Sequence, residues 1–258
     1  MDRVRTLALY DQEMRQNPPE EPGTYIDRSD GIVRLVGERS WIAFSRLASR
    51  DAAEAVERET SRFRKAGVEL EWKLFDHDGP PEMGRLLAAA GFRPDLPETL
   101  MALDLGGPIV PFSAAAGISI DRISDALGVR DAVRVSHRAF APEEGWNEEE
   151  YLGRIADPSM VILGARGEGH LVAVGRLELP DSRSFASLWG GGTLPAFRGR
   201  GIYRALVHAR AEIARTRGYR FLTVDARATS RPILERIGFE PIANIVGWVL
   251  RSSVPPSD

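Results

Sequence analysis

Short apolar runs bounded by glycine, proline or charged residues recur along the chain. They fall at Ser40–Leu47, Val68–Phe75, Thr99–Leu103, Ile118–Ile120, Met160–Ala165, Leu171–Leu179, Phe185–Trp189, Tyr219–Asp225 and Ile245–Leu250. Runs of this length and bounding predict strands. Between them, Asp51–Lys65, Arg122–Phe140, residues 202–217 and Ser230–Ile237 carry helical patterns. The segment Arg122–Phe140 is expected as two pieces broken near Gly128. Asn147 fits the N-cap of a helix reaching about Ile155, with acids in its first turn. Arg166-Gly167-Glu168-Gly169 predicts a turn between two strands, and residues 141–146 a loop.

The order from residue 118 onward is therefore strand, two helices, three strands, helix, strand, helix, strand. Glycine and proline punctuate residues 106–117 and predict a linker there. This divides the chain into domains 1–107 and 118–258, with 108–117 between them. The first half repeats the second in weaker form. Leu86–Pro94 parallels Ile233–Pro241, and each copy precedes a strand after strand, helix, strand.

Composition narrows the classes. A chain of 258 residues allows one large domain or two ordinary ones, and 43% hydrophobic content is normal for a globular protein. A net charge of −3 with interleaved arginines gives no electrostatic footprint for nucleic acid. The absence of cysteine excludes disulfides, thiolate-ligated metals and a cysteine acyl-enzyme. His77 and His170 show no metal-ligand spacing, so no metal is expected. Met1–Arg5 leads into an amphipathic stretch rather than a secretory segment, and no apolar run approaches a membrane span. The expectation is a cytoplasmic enzyme with no membrane partner.

The chemistry is concentrated in Thr193-Leu194-Pro195-Ala196-Phe197-Arg198-Gly199-Arg200-Gly201-Ile202, which follows Gly190-Gly191-Gly192 and opens a helix. A strand, a basic glycine turn and a helix start make an anion cradle. Backbone N–H groups are free at a helix N-terminus, and glycine lets the backbone come close to the anion. No Lys-Ser or Lys-Thr follows the glycines, and no G-x-G-x-x-G is present, so neither nucleotide-loop motif applies.

This loop resembles the diphosphate loop of the GNAT acyl-CoA N-acyltransferase superfamily, R/Q-x-x-G-x-G/A after a strand ending near V-x-P. Arg198, Gly199, Arg200, Gly201 and Ile202 match in order. Tyr203 departs from the family's Gly or Ala. Ile233–Pro241 is similar to the family's L-Y-E-K-L-G-F segment, and the resemblance covers residues 118–250. It implies a mixed-sheet α/β fold, the GNAT fold, in two tandem copies. The first copy is degenerate, because Ala48–Ala53 stands where its cradle would be and lacks a glycine pair.

The resemblance also implies acetyl-CoA as donor and a small-molecule or peptide amine as acceptor, attacked directly in a ternary complex. Pantetheine contacts fall on Gly191, Gly192 and Thr193, and diphosphate contacts on Arg198 through Tyr203. The three glycines suit a bulged strand or, equally, a loose turn. The family's usual acid, a tyrosine, corresponds to Leu234. Tyr203 is the substitute candidate acid, Glu178 and Asp225 are candidate bases at strand ends, and Trp146 is a candidate lining of the acceptor cleft. The alternative class is a non-catalytic acyl-CoA-binding regulatory or scaffold protein.

Overall fold

The computed structural model describes residues 1–109, 111–112, 115–140 and 145–251. Val110, Ser113 and Ala114 of the expected linker, and residues 141–144 of the expected loop, lie outside the described residues. In chain order the helices are α1 (Arg3–Tyr10), α2 (Ser49–Ala66), α3 (Met83–Ala89), α4 (Ala126–Ala139), α5 (Glu148–Gly153), α6 (Ile202–Thr216) and α7 (Arg231–Ile237). The strands are β1 (Tyr25–Ser29), β2 (Ile32–Val36), β3 (Ser40–Ser45), β4 (Leu70–Phe75), β5 (Arg93–Pro94), β6 (Glu98–Asp104), β7 (Ile118–Ile123), β8 (Met160–Gly167), β9 (His170–Glu178), β10 (Phe185–Thr193), β11 (Phe221–Ala226) and β12 (Glu240–Leu250).

Contacts group the chain into two compact units that interleave in sequence. The first holds Met1–Leu100, Asp225–Ala228 and the stretch from Pro241 onward; the second holds Met101–Val224 and Thr229–Glu240.

In the first unit the strand order is β1-β2-β3-β4-β12, with β3 and β4 parallel. The register of β4 with β12 runs from Leu70↔Leu250 to Phe75↔Ile245. The amphipathic α2 places Ala52, Ala55, Val56 and Phe63 against Leu70, Trp72, Phe92 and Leu250. One polar tie crosses this core, a bidentate pair between Arg34 and Glu59 at 2.5 and 2.6 Å. The β1–β2 hairpin is absent from the periodicity reading. Its turn is Asp30-Gly31 with φ of 53° and 75°, the geometry that an Asp-Gly pair favours between two strands.

In the second unit the order is β6-β11-β10-β9-β8-β7, with β10 and β11 parallel. The helix expected to break near Gly128 is a single helix. Asp125 caps it by accepting from the Gly128 N–H at 2.8 Å. Gly128 instead makes room for β7, since a Cβ there would lie 2.9 Å from Ile123 Cγ2. Asn147 caps α5 as expected, accepting from the Glu150 N–H at 3.0 Å. Val129, Ala132 and Val133 of α4 pack with Ile162, Leu171 and Val174 of the sheet.

Candidate active site

Strand β10 carries the site. Its antiparallel register with β9 runs Ser187↔Glu178, Leu188↔Leu177, Trp189↔Arg176, then slips to Gly192↔Val174. Gly190 and Gly191 thus oppose the single Gly175, which makes a β-bulge. Of the two readings of the glycine run, the bulged strand is the one found. On its other edge β10 pairs with β11 only over Phe185–Ser187. Beyond Ser187 that edge has no ladder with β11 among the described residues.

Each glycine of the bulge admits a particular neighbour. A Cβ on Gly190, whose φ is +54°, would overlap the indole Nε1 of Trp146. On Gly191 it would lie 3.1 Å from the Tyr203 ring and 3.4 Å from Arg210 Nη2. On Gly192 it would lie 2.7 Å from the Phe140 ring.

The chain then makes a 3₁₀ turn at Pro195–Phe197 and enters α6 through Gly199 and Gly201, both with φ +76°. Gly201 is the N-cap, and no side chain caps the helix. Its carbonyl accepts from the Ala205 N–H at 3.0 Å, so the first-turn N–H groups have no intrahelical acceptor and point outward. The dipole of this 15-residue helix adds positive potential there.

The two loop arginines are turned onto the protein. Arg198 donates to the Thr193 and Ala139 carbonyls, both at 3.1 Å. Arg200 donates to the Ala196 carbonyl and lies over the Phe197 ring. They brace the loop. The sequence reading also missed Phe112. A Cβ on Gly201 would be 2.8 Å from its ring, and the Arg204 guanidinium stacks over it at 4.1 Å.

Buried donors without acceptors gather at the same place. Among the described residues of the second unit, such side-chain atoms are Trp146 Nε1, Arg176 Nε, Thr193 Oγ1 and Arg210 Nη2. Arg176 Nε is 3.0 Å from a Glu178 oxygen but poorly aligned to donate to it. All four belong to the bulge or touch it. Arg176 is the partner of Trp189, Thr193 ends β10, Trp146 abuts Gly190, and Arg210 abuts Gly191. Buried polar groups are nearly always satisfied, so a cluster of orphans marks a place where a ligand or water completes the set.

Tyr203 sits at this bulge, and burial pushes its phenol above the usual tyrosine range while Arg210 pulls it back. It therefore keeps its proton at neutral pH, as an acid must. The other two catalytic candidates are engaged elsewhere. Glu178 accepts two hydrogen bonds from Arg154, at 3.0 and 2.9 Å, with Arg176 beside it. Both of its oxygens are therefore already engaged by guanidinium groups. Asp225 falls in the first unit, 3.5 Å from Lys73 Nζ. Leu234 is fully buried, so the tyrosine's usual place is filled by core. Trp146 is buried and stacked on Tyr151 at 4.4 Å between ring centroids. Among the described residues no group of three or more His, Asp or Glu side chains is placed to hold a metal ion. No helix there is long and apolar enough to cross a membrane.

A mixed sheet whose bulged strand parts from its parallel neighbour and feeds a glycine-opened helix is the GNAT fold. Residues 128–239 match the family model described as the Acetyltransferase (GNAT) family. Solved structures agree on the fold over the full chain. One is a GCN5-related N-acetyltransferase from Kribbella flavida, with 17% identity, 100% of this chain and 96% of that chain covered, and a TM-score of 0.69. Another, from Sphaerobacter thermophilus, has 16% identity, 99% and 93% coverage and a TM-score of 0.67. A tandem GNAT protein from the clavulanic acid biosynthesis pathway has 18% identity, 99% and 95% coverage and a TM-score of 0.63. No curated protein sequence matches the chain significantly.

Proposed function

We propose that this protein is a tandem GNAT N-acetyltransferase that moves an acetyl group from acetyl-CoA to a primary amine, with one working site, in the second half. The reading places domains at 1–107 and 118–258 and, for a cysteine-free chain, a cytoplasmic setting. The observation that carries it is the cluster of unmet donors at the bulge, directly before a cradle of backbone N–H groups. An acyl thioester with a diphosphate tail needs both features, one at each end.

In this reading the N–H groups from Gly199 to Tyr203, across the glycine turn and the start of α6, hold the diphosphate. Gly191, Gly192 and Thr193 hold the pantetheine along the β10 edge that β11 leaves free. The bulge donors polarise the acyl carbonyl. An alkyl ammonium has a pKa near ~10.4 and must lose a proton before attack. With Glu178 and Asp225 both ion-paired, that proton passes to solvent water, and Tyr203 is the acid nearest the bulge. The buried Leu234 favours one competing reading, a protein that binds acyl-CoA without turnover.

Calorimetry with acetyl-CoA tests the proposal. The wild type is expected to bind at micromolar concentration, and an Arg198→Ala, Gly201→Glu double variant is expected not to bind. Wild type that fails to bind sinks the reading. Binding without thiol release across a panel of amines would leave the non-catalytic reading in its place.

A further inference from the structure

Three arginine side chains are fully buried among the described residues: Arg15, Arg34 and Arg210. Arg15 pairs with Asp11 at 2.7 Å and Asp78 at 2.6 Å. Arg34 pairs with Glu59. Arg210 has no carboxylate partner among the described residues. It donates from Nε to the Leu206 carbonyl at 3.1 Å and from Nη1 to the Arg176 carbonyl at 3.0 Å, and Nη2 has no acceptor. Burial pulls its pKa down to about 10, so it is still a cation at neutral pH.

An unpaired buried charge is among the costliest features a core can hold. The fold makes specific room for this one. Gly175 stands opposite the bulge, and a Cβ there would lie 2.7 Å from the Arg210 guanidinium carbon. Gly191, within the bulge, leaves space for Nη2 in the same way. The Arg176 carbonyl that accepts from Nη1 belongs to the residue where the β9–β10 register breaks. The guanidinium therefore fills the gap in the ladder and sets an unneutralised positive charge against the strand where acyl transfer would occur.

We propose that Arg210 is an electrostatic residue of acyl transfer, whose charge stabilises the thiolate that departs at the β10 bulge. The proposal rests on the acyl-CoA reading of the site. In the step it serves, the amine lone pair attacks the thioester carbonyl carbon. The C–N bond forms, the C–S bond breaks, and sulfur leaves with the electron pair as a thiolate. The amine's proton goes to water, and the thiolate takes one from Tyr203 or solvent. A cation that lowers the basicity of the leaving sulfur replaces the acid missing at Leu234.

The test uses CoA itself, the product thiol. Its thiolate absorbance is titrated against pH in complex with wild type, Arg210→Gln, Arg210→Lys and Tyr203→Phe. A nearby cation lowers the pKa of an acidic group by about one unit or more. The bound thiol of the wild type is expected to titrate that far below free CoA, and Tyr203→Phe is expected to keep most of the shift. Arg210→Gln, which retains a donor for the Arg176 carbonyl, is expected to restore the free-CoA value, with kcat down at least ~10-fold and the KM for acetyl-CoA little changed. If the Gln variant does not fold, Arg210→Lys is expected to keep a lowered thiol pKa, and a free-CoA value there overturns the proposal. CoA that binds wild type with an unshifted thiol, or a shift that survives in a folded Arg210→Gln, also overturns it and leaves the acyl-CoA reading standing. No CoA binding at all removes that reading as well.

Discussion

Gly190 shows how one missing side chain admits a neighbour from elsewhere in the fold. Its φ of +54° lies in the left-handed region, and a Cβ on it would overlap the Trp146 indole. Gly190→Ala is expected to destabilise the protein by about 1–3 kcal/mol, through overpacking and an unfavourable φ together, as read by urea denaturation. The glycine run itself stands out in the sequence, because three consecutive glycines in a strand signal close approach. What each glycine approaches does not. Trp146, Phe140 and Arg210 arrive from distant helices and loops, and nothing local encodes their convergence. One signal for Arg210 was present: it falls on the apolar stripe of α6 with Ile202, Leu206 and Ala214, where a charge is out of place.

At the scale of elements, Arg154 ties the end of α5 to the end of β9. It donates to Glu178 and to Asp157, and all three side chains are more than three-quarters buried. Asp157 is held below the usual carboxylate range: burial opposes this, but hydrogen bonds from Ser159 and Arg154 outweigh it. Arg154→Ala is expected to cost about 1–3 kcal/mol, because charged hydrogen bonds are lost and Glu178 loses its clamp. Glu178→Gln is expected to retain most acyl-transfer turnover while losing stability. A collapse of kcat in a stably folded Glu178→Gln would return Glu178 to the role of base. Position at a strand end suggested that role, and it cannot be separated by sequence from the ion pair found, since a carboxylate suits both.

At the scale of the whole molecule, stability is expected to depend on pH through Glu98. This carboxyl stands at the very start of β6, on the part of that strand that belongs to the first unit, and burial, reinforced by Asp225, pushes its pKa up to about 7 from an ordinary 4.5, with Lys73 opposing. A raised carboxyl pKa means that its favourable contribution is complete below pH 4.5 and is lost as pH rises toward about 7. The side chain is 30% exposed, so the loss is expected to be only about 1–2 kcal/mol. Glu98→Gln should remove this dependence, leaving the variant more stable relative to wild type at pH ~8 than at pH ~5. Urea midpoints at the two pH values check it.

The sequence by itself determined the kinds of elements, their order in the second half and the glycine turn that opens α6. Those features are set within a few residues, by a period of two in strands, about three and a half in helices, and glycine where φ is positive. It also carried the family resemblance through Arg198–Ile202. The tertiary structure decided what local pattern does not hold. It placed β12 beside β4 within the first unit, although the chain forms β12 last. It turned Arg198 and Arg200 onto carbonyls, clamped Glu178 between guanidiniums, and buried Arg210 beneath the bulge with no carboxylate partner among the described residues. Each of these depends on which distant groups share a low-dielectric space, and that is fixed only when the chain packs.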